Sequence, residues 1–325
     1  MPRMTAIHPA YRGRFAPTPS GPLHLGSLLT ALLSYLDARA AGGAWLLRID
    51  DLDAPRCDPA HSTRILRQLE AHGLHWDEAP RYQSAQRAEY EAALATLRAG
   101  GRVYGCDCTR RRLKKSATTG VWGPVYSGRC RDRGLAEQGD ADLALRLRVP
   151  HGPARLEDDW QGTLEGDWQK DVGDFVLQRR DGIPGYALAC AVDEHAMGIT
   201  HIVRGADLLA PTLMHWAVLD ALGHARPRSR HGPLLQRADG AKLSKQNHAA
   251  PIDESRAPAS LLRCCAWLGV APADADAGSA PAEILKAAVA AWRERPASAL
   301  PSKILVEDAA WRCGHGGHAT VRATL

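Results

Sequence analysis

RGRFAPTPSGPLHLGS, residues 12–27, passes from a short segment with an apolar end, through a Pro/Gly-rich turn, into the start of a leucine-periodic run. Residues 12–16 read as a strand and residues 17–22 as a turn, because proline presets φ and glycine tolerates the backbone angles of a reversal. Over residues 25–41, Leu25, Leu28, Leu29, Leu32, Leu33 and Leu36 recur at spacings of three and four, the signature of one buried helix face. Gly42 and Gly43 end that helix, and residues 44–49 are again apolar and strand-like. Strand, helix and strand in this order form a βαβ unit and predict a parallel sheet. In open parallel sheets ligands gather outside the carboxyl ends of the strands, which is where the first turn lies.

Further along, helical patterns are expected at residues 62–72 and 85–99. From Cys106 to about Pro184 the composition shifts to Arg, Gly and Asp, with a strand-like piece at residues 143–149, as an insertion within the α/β domain would read. The α/β pattern resumes at residues 186–192 and 199–203, and a helix is expected over residues 211–222. After Pro251 come helices separated by Ala/Pro linkers, with residues 271–282 as a loop. The expected organisation is residues 1–105 as the first half of the α/β domain, 106–185 as the insertion, 186–250 as the second half and 251–325 as a small helical domain.

A composition of 45% hydrophobic and 24% charged residues is that of an ordinary globular protein, so disorder is not the default reading. The net charge of +5 and a pI near 8.8 suit a polyanionic partner without requiring one. No apolar run approaches the roughly 18 residues of a membrane span, and residues 1–11 lack the apolar core of a signal peptide. A cytoplasmic protein is expected. Eight cysteines are too sparse for a disulfide scaffold. Only Cys106, Cys108 and Cys130 cluster in a way that suggests chemistry.

Two segments carry phosphate chemistry. A turn that leads into a helix N-terminus offers unpaired N–H groups and the positive end of the helix dipole. There His24 can donate to a phosphate oxygen, and Gly26 lets an adenine or ribose approach the backbone. The second segment, GAKLSKQ at residues 240–246, presents Lys242, Ser244 and Lys245, suited to ATP phosphates and to the charge on departing pyrophosphate. Taken singly, the first is matched by a plain packed turn and the second by a solvated basic loop.

Together, a His-x-Gly turn near the start and a Lys-x-Ser-Lys loop far downstream resemble the two signatures of class I aminoacyl-tRNA synthetases. The closer resemblance is to the glutamate-specific members, through RFAPTPSG at residues 14–21, RIDDLD at 48–53 and VRGADL at 203–208, in the family's order. Ser27 stands where full synthetases usually carry a second His. That variant, the AKLSKQN form of the loop and the short C-terminus resemble the glutamyl-Q tRNA(Asp) synthetase family. The resemblance implies an α/β fold: a Rossmann-like parallel-sheet catalytic domain with a zinc-containing insertion and a small C-terminal helical domain. It implies ATP-dependent activation of L-glutamate, with Mg²⁺, and transfer of the glutamyl group to queuosine in the anticodon of tRNA(Asp), by a monomer without membrane attachment. The alternative is a truncated glutamyl-tRNA synthetase that charges a tRNA 3′ end, although the residues after Pro251 are expected to be too few for its anticodon-reading helices. A small-molecule nucleotidyltransferase would not need the glutamate phrases, and an inactive RNA-binding regulator would not need His24 and Lys245.

A dicarboxylic amino acid needs cations for its carboxylates and an acid for its ammonium. Arginine suits bidentate carboxylate recognition, which makes Arg14 and Arg204 candidates. The resemblance places both at the glutamate site together with Phe15, Ala16, Pro17, Thr18 and Tyr186. It assigns the α-ammonium to Asp50, one methylene shorter than the family's usual Glu, and Ala187 falls where a larger polar residue is common. It assigns ATP to His24, Gly26, Ser27, Lys242, Ser244 and Lys245, with His24, Lys242 and Lys245 stabilising the transition state. The thiolates of Cys106, Cys108 and Cys130 suit zinc, which takes four ligands. By chemistry alone Asp107, Asp132 or His151 can complete the set. The resemblance selects Tyr126, because the family carries Cys-x-Cys and Tyr-x-x-x-Cys, and makes the single zinc structural. Arg110, Arg111, Arg112, Lys114, Lys115, Arg129, Arg131 and Arg133 surround it as an expected phosphate-contacting patch. The tail with Cys313, His315 and His318 is expected to be a mobile terminus without a role.

Overall fold

Strand β1 (Arg12–Phe15), helix α1 (Leu25–Ala40) and strand β2 (Ala44–Ile49) form the βαβ unit in the computed structural model, which describes residues 10–135, 142–236, 242–243, 249–295 and 300–306. The two strands pair in parallel, with Arg14 opposite Leu46. All six periodic leucines of α1 are buried, so the stripe is the face laid on the sheet; each such side chain contributes about 1.5–3 kcal/mol relative to exposure. The Gly42–Gly43 turn is sterically required. Gly42 has φ +67°, and a Cβ on Gly43 would lie 2.3 Å from the Tyr11 carbonyl oxygen, which here accepts the Ala44 N–H at 2.9 Å. Helix α2 (Pro59–Ala71) begins with Pro at its first position and Asp58 accepting the Ala60 N–H at 2.8 Å. It returns the chain to strand β3 (Arg81–Tyr82), parallel to β2, and helix α3 (Arg87–Ala99) follows.

The Arg/Gly/Asp-rich stretch holds strand β4 (Val103–Cys106), helix α4 (Arg110–Ser116), the hairpin strands β5 (Thr118–Gly120) and β6 (Gly123–Val125), and strand β7 (Ala144–Leu147). Strands β8 (Pro153–Asp158), β9 (Gly162–Asp167) and β10 (Val176–Gln178) complete it. Antiparallel pairing orders one sheet β10–β7–β4. The chain then forms helix α5 (Tyr186–Ala196), strand β11 (His201–Gly205), helix α6 (Leu209–Ala221), and strands β12 (Arg228–Gly232) and β13 (Leu234–Gln236). Helices α7 (Ala257–Trp267) and α8 (Pro281–Glu294) and strand β14 (Lys303–Leu305) end the described chain. The β8–β9 hairpin, within the expected insertion, joins the β11–β12 sheet, with Asp158 opposite Ser229.

Thr200 ties the two parallel sheets together. Its N–H donates to the Arg12 carbonyl at 3.0 Å, its carbonyl accepts from Arg228 at 2.9 Å, and its hydroxyl accepts the Arg12 N–H at 2.8 Å. The strands therefore lie in the order β3–β2–β1–β11–β12. The winding reverses between β1 and β11, which places a ligand crevice at their carboxyl ends. Helices α7 and α8 bury Leu261, Cys264, Ile284, Leu285 and Trp292 in the same core as α1, while α3, α5 and α6 share a second core with β4, β7 and β8. No described helix is long and apolar enough to cross a membrane.

Candidate active site

A cleft of about 620 Å³ opens at this switch point. It is lined by Arg14, Phe15, Ala16, Pro17 and Thr18 from the end of β1, by His24, Gly26 and Ser27 from the start of α1, and by Asp50, Tyr186, Arg204, Asp207 and Lys242. Every described residue expected from sequence for ATP or glutamate lines this one space. Ser244, Lys245 and the tail residues Cys313, His315 and His318 lie outside the described residues.

On the phosphate side, His24 is the N-cap of α1. Its Nδ1 accepts the Ser27 N–H at 3.2 Å, and the Ser27 hydroxyl accepts the His24 N–H at 2.8 Å. With Nδ1 accepting, the neutral ring carries its proton on Nε2, the nitrogen able to donate to a phosphate oxygen. Ser27 thus closes the capping box. A Cβ on Gly26 would lie 3.1 Å from both the His24 ring and the Leu243 carbonyl, so glycine lets the root of the lysine loop pack against the turn. Leu243 is buried and donates its N–H to Leu235 at 2.8 Å. Beside it Lys242 pairs with Asp207 at 2.5 Å.

On the opposite side lies a buried ionic network. The Arg14 guanidinium donates to Glu194 at 2.9 Å and to the Val203 carbonyl at 3.2 Å. Arg48, 1% exposed, grips Asp50 through two bonds of 2.6 and 3.2 Å and lies 3.8 Å from Glu194. Burial raises the Asp50 carboxyl above its ordinary value even with Arg48 beside it. Burial acts the same way on Glu194, but Arg14, His215 and Arg48 outweigh it and hold that carboxyl well below the usual range.

Arg204 is different. It is buried, and among the described residues no carboxylate pairs with it. Its partners are neutral: His231 Nε2 at 3.1 Å, the Thr212 hydroxyl at 2.8 Å, His215 Nδ1 at 3.4 Å and the Tyr186 hydroxyl at 3.3 Å. Burial, and then the charge of Arg204, push His215 down to about 4, so it is uncharged at neutral pH. Tyr186, the first residue of α5, is 47% exposed and forms the rim above this arginine. A guanidinium desolvated among neutral acceptors is a receptor for an anionic group.

Away from the cleft, β4 and the turn after β6 bring Cys106, Cys108 and Cys130 together, all three sulfurs within 4.8 Å of one another. The Cys108 and Cys130 sulfurs are 3.6 Å apart, and the Tyr126 oxygen lies 3.6 and 3.7 Å from those of Cys106 and Cys108. Ligands 2.3 Å (sulfur) and 2.0 Å (oxygen) from a tetrahedral zinc would be separated by roughly 3.5–3.8 Å, so the donor set fits the metal. The Cys130 N–H donates to the Tyr126 oxygen at 2.9 Å and fixes its direction. Of the other candidates for the fourth place, Asp132 pairs with Arg148 and His151 with Gln169, while Asp107 pairs with Arg133 and accepts from the Cys130 sulfur at 3.2 Å.

The class I tRNA synthetase (E and Q) catalytic-domain model matches residues 10–295. The chain is 47% identical to the glutamyl-Q tRNA(Asp) synthetase of Methylococcus capsulatus over 291 residues, which is 89% of this chain and 94% of that protein. It is 49% identical to that of Chromobacterium violaceum over 282 residues, 87% and 93% of the two chains. The chain belongs to the glutamyl-Q tRNA(Asp) synthetase family. A glutamate tRNA ligase from Elizabethkingia meningosepticum, in complex with its amino acid, superposes with a TM-score of 0.69 at 28% identity. The match covers 86% of this chain but 64% of the longer ligase. Family membership settles the Rossmann-like parallel-sheet reading of the fold.

For this glutamyl-Q tRNA(Asp) synthetase family member, sequence reasoning missed Glu194, Arg48, His231, Asp158, Thr212 and His215. A signal existed for Glu194. Tyr186, Cys190 and Glu194 are spaced by four on α5, and Asp193-Glu194 is an acidic pair in an otherwise apolar helix. His231 sits near the end of β12 as Arg204 does near the end of β11, and the two are register partners. The basic patch is smaller than expected. Arg131 pairs with buried Asp174 at 2.6 Å and Arg133 with Asp107 at 2.7 Å. Arg110, Arg111, Arg112, Lys114, Lys115 and Arg129 are exposed and form no ion pair among the described residues. Three arginines in the first turn of α4 oppose the helix dipole, so helix stability does not account for them.

Proposed function

We propose that the protein activates L-glutamate with ATP and transfers the glutamyl group to the queuosine base in the anticodon of tRNA(Asp), in keeping with relatives named glutamyl-Q tRNA(Asp) synthetase. The observation that carries the glutamate half is Arg204, a buried cation with no carboxylate partner among the described residues, facing the cleft between β1 and β11. In this reading Arg204 and Tyr186 receive the side-chain carboxylate. Asp50 receives the ammonium, and Arg14 with residues 15–18 walls the α-carboxylate. An oxygen of that carboxylate attacks the α-phosphorus of ATP. The bond to the bridging oxygen breaks, and pyrophosphate leaves with the electron pair. His24 donates from Nε2, while Lys242 and Lys245 neutralise the phosphates. ATP enters as its Mg²⁺ complex, and Gly26, Ser27 and Ser244 border it. Positioning and charge neutralisation supply most of the rate. A hydroxyl of the queuosine ring then attacks the mixed anhydride, AMP departs and an ester remains.

In the same reading residues 1–105 and 186–250 act as one catalytic unit, against which helices α7 and α8 pack in the core of α1. Within residues 106–185 the β8–β9 hairpin belongs to the catalytic sheet, while the part around α4 faces the RNA, with one zinc held by Cys106, Cys108, Tyr126 and Cys130. Bound there, the metal supplies cross-linking, because four protein ligands leave no place for a substrate. The exposed cations of α4 and Arg129 meet loop phosphates, and a single-stranded anticodon loop can splay its bases toward the cleft. Labelled glutamate offered with tRNA(Asp) with and without queuosine tests the reading. Transfer should require queuosine, survive periodate treatment confined to the 3′ end, and give an alkali-labile product. Glutamate on the 3′-terminal adenosine, or on unmodified tRNA(Glu) at a similar rate, would instead favour a 3′-charging synthetase.

A further inference from the structure

The arginine that meets glutamate is itself aimed by a second pair of residues. Arg204 Nε donates to His231 Nε2 at 3.1 Å, and His231 Nδ1 lies 2.6 Å from Asp158 Oδ2. Asp158 Oδ1 accepts three backbone N–H groups, from Trp160 at 3.1 Å, Gln161 at 3.0 Å and His231 at 3.1 Å. These distances allow one protonation pattern. Arginine has only donors, so His231 Nε2 must be bare. The ring proton therefore sits on Nδ1 and is donated to Asp158. A doubly protonated ring would set N–H against N–H at 3.1 Å. His231 is fully buried and Asp158 nearly so, so neither group gains this partner from water.

We propose that Asp158 and His231 form a positioning pair that fixes the imidazole tautomer and, through it, the orientation of Arg204, making them determinants of glutamate over glutamine. The proposal rests on Arg204 binding the substrate's side-chain carboxylate. Asp158 provides the counter-charge one residue removed from the guanidinium. Arg204 is thereby compensated without a carboxylate in direct contact, and a ligand carboxylate would displace only neutral partners such as the Tyr186 hydroxyl at 3.3 Å. A carboxylate in direct contact would have quenched it, as Glu194 does for Arg14. Glutamine presents a neutral amide whose NH₂ has no acceptor on this arginine.

Asp158→Asn separates this role from a structural one. The three backbone N–H groups hold the amide oxygen at the Oδ1 position, because turning the amide over would set its NH₂ against them. The amide nitrogen then faces His231 Nδ1 and donates to it. The ring proton is driven to Nε2, directly against Arg204 Nε. The variant is isosteric and keeps its three backbone bonds. The assay is amino-acid-dependent ATP–pyrophosphate exchange with glutamate and with glutamine. Asp158→Asn should raise the glutamate KM about ten- to a hundredfold, the scale of one charge-assisted hydrogen bond. The ATP KM should hold, and the preference for glutamate over glutamine should shrink. His231→Gln, whose amide oxygen can replace the Nε2 acceptor without a tautomer, should retain a glutamate KM closer to the unaltered enzyme than Asp158→Asn does. The proposal is overturned if Asp158→Asn leaves the glutamate KM and the preference unchanged, if it raises the glutamate and ATP KM together, or if His231→Gln is the worse variant. Arg204→Ala distinguishes the two levels. If it keeps the preference for glutamate, the assignment of Arg204 fails. If it abolishes the preference while Asp158→Asn does not, only the positioning pair fails.

Discussion

Replacing Glu194 with Gln probes the ionic network beneath the cleft. The substitution keeps the shape and removes one charge from between Arg14 at 2.9 Å and Arg48 at 3.8 Å. Removing one partner of a buried ion pair costs about 3–5 kcal/mol when the other charge is stranded. Arg48 keeps Asp50, and the amide oxygen can still accept from Arg14, so the lower end, about 3 kcal/mol, is expected. That corresponds to a fall in melting temperature of roughly 4–5 °C for a chain of this length. The pH dependence gives the sharper check. The folded-state carboxyl is held well below its ordinary 4.5, so its stabilisation is complete above the unfolded value and is lost as pH falls toward the folded one. The gap in urea midpoint between the two proteins should therefore be flat from about pH 6 to 8 and narrow steadily below about 4.5. In pyrophosphate exchange the glutamate KM should rise, because Arg14 loses its anchor. Equal stability at pH 7, or a gap that persists unchanged at pH 3.5, refutes the account of Glu194 as a charged keystone.

Three further outcomes are expected, the second from the sequence motif alone. Elemental analysis of protein purified without added metal should find about one zinc per chain, and a Cys106→Ser, Cys108→Ser double variant that keeps its zinc would remove the assignment. Lys245→Ala should slow glutamate-dependent exchange at least tenfold, about 1.4 kcal/mol of transition-state stabilisation, and an unimpaired variant would exclude the loop from the chemistry. Asp50→Asn should weaken glutamate by about one to two orders of magnitude, since charge-assisted bonds contribute roughly 1.5–3 kcal/mol. An unaltered glutamate KM would mean that Asp50 serves only to hold Arg48, which it grips through two bonds.

The sequence by itself determined the parts of this protein whose signal is local. The leucine stripe of α1, the Gly42–Gly43 stop and the strands on either side are legible because helix and strand periods and the steric limits of a turn act within a few residues. Arg14, His24, Arg204 and Lys242 were legible as candidates from phosphate and carboxylate chemistry, but Asp50, Tyr186 and residues 15–18 entered the site only through the family resemblance. The cysteines were legible from their spacing, and Tyr126 only through the family resemblance.

Tertiary structure alone decided which charges are spent and which are open. In sequence Arg14 and Arg204 are equivalent candidates. In the fold Glu194 quenches the first, while the second is left among Thr212, His215 and His231. The same holds in the insertion, where Arg131 and Arg133 are consumed by Asp174 and Asp107 and their neighbours Arg110, Arg111 and Arg112 are not. The carboxylate behind His231 even comes from a hairpin within the expected insertion, because Asp158 reaches that imidazole only when β8 joins β12. Pairing of this kind depends on which elements meet across long stretches of chain. Burial then multiplies the difference between a compensated charge and an open one, and no local pattern of residues encodes it.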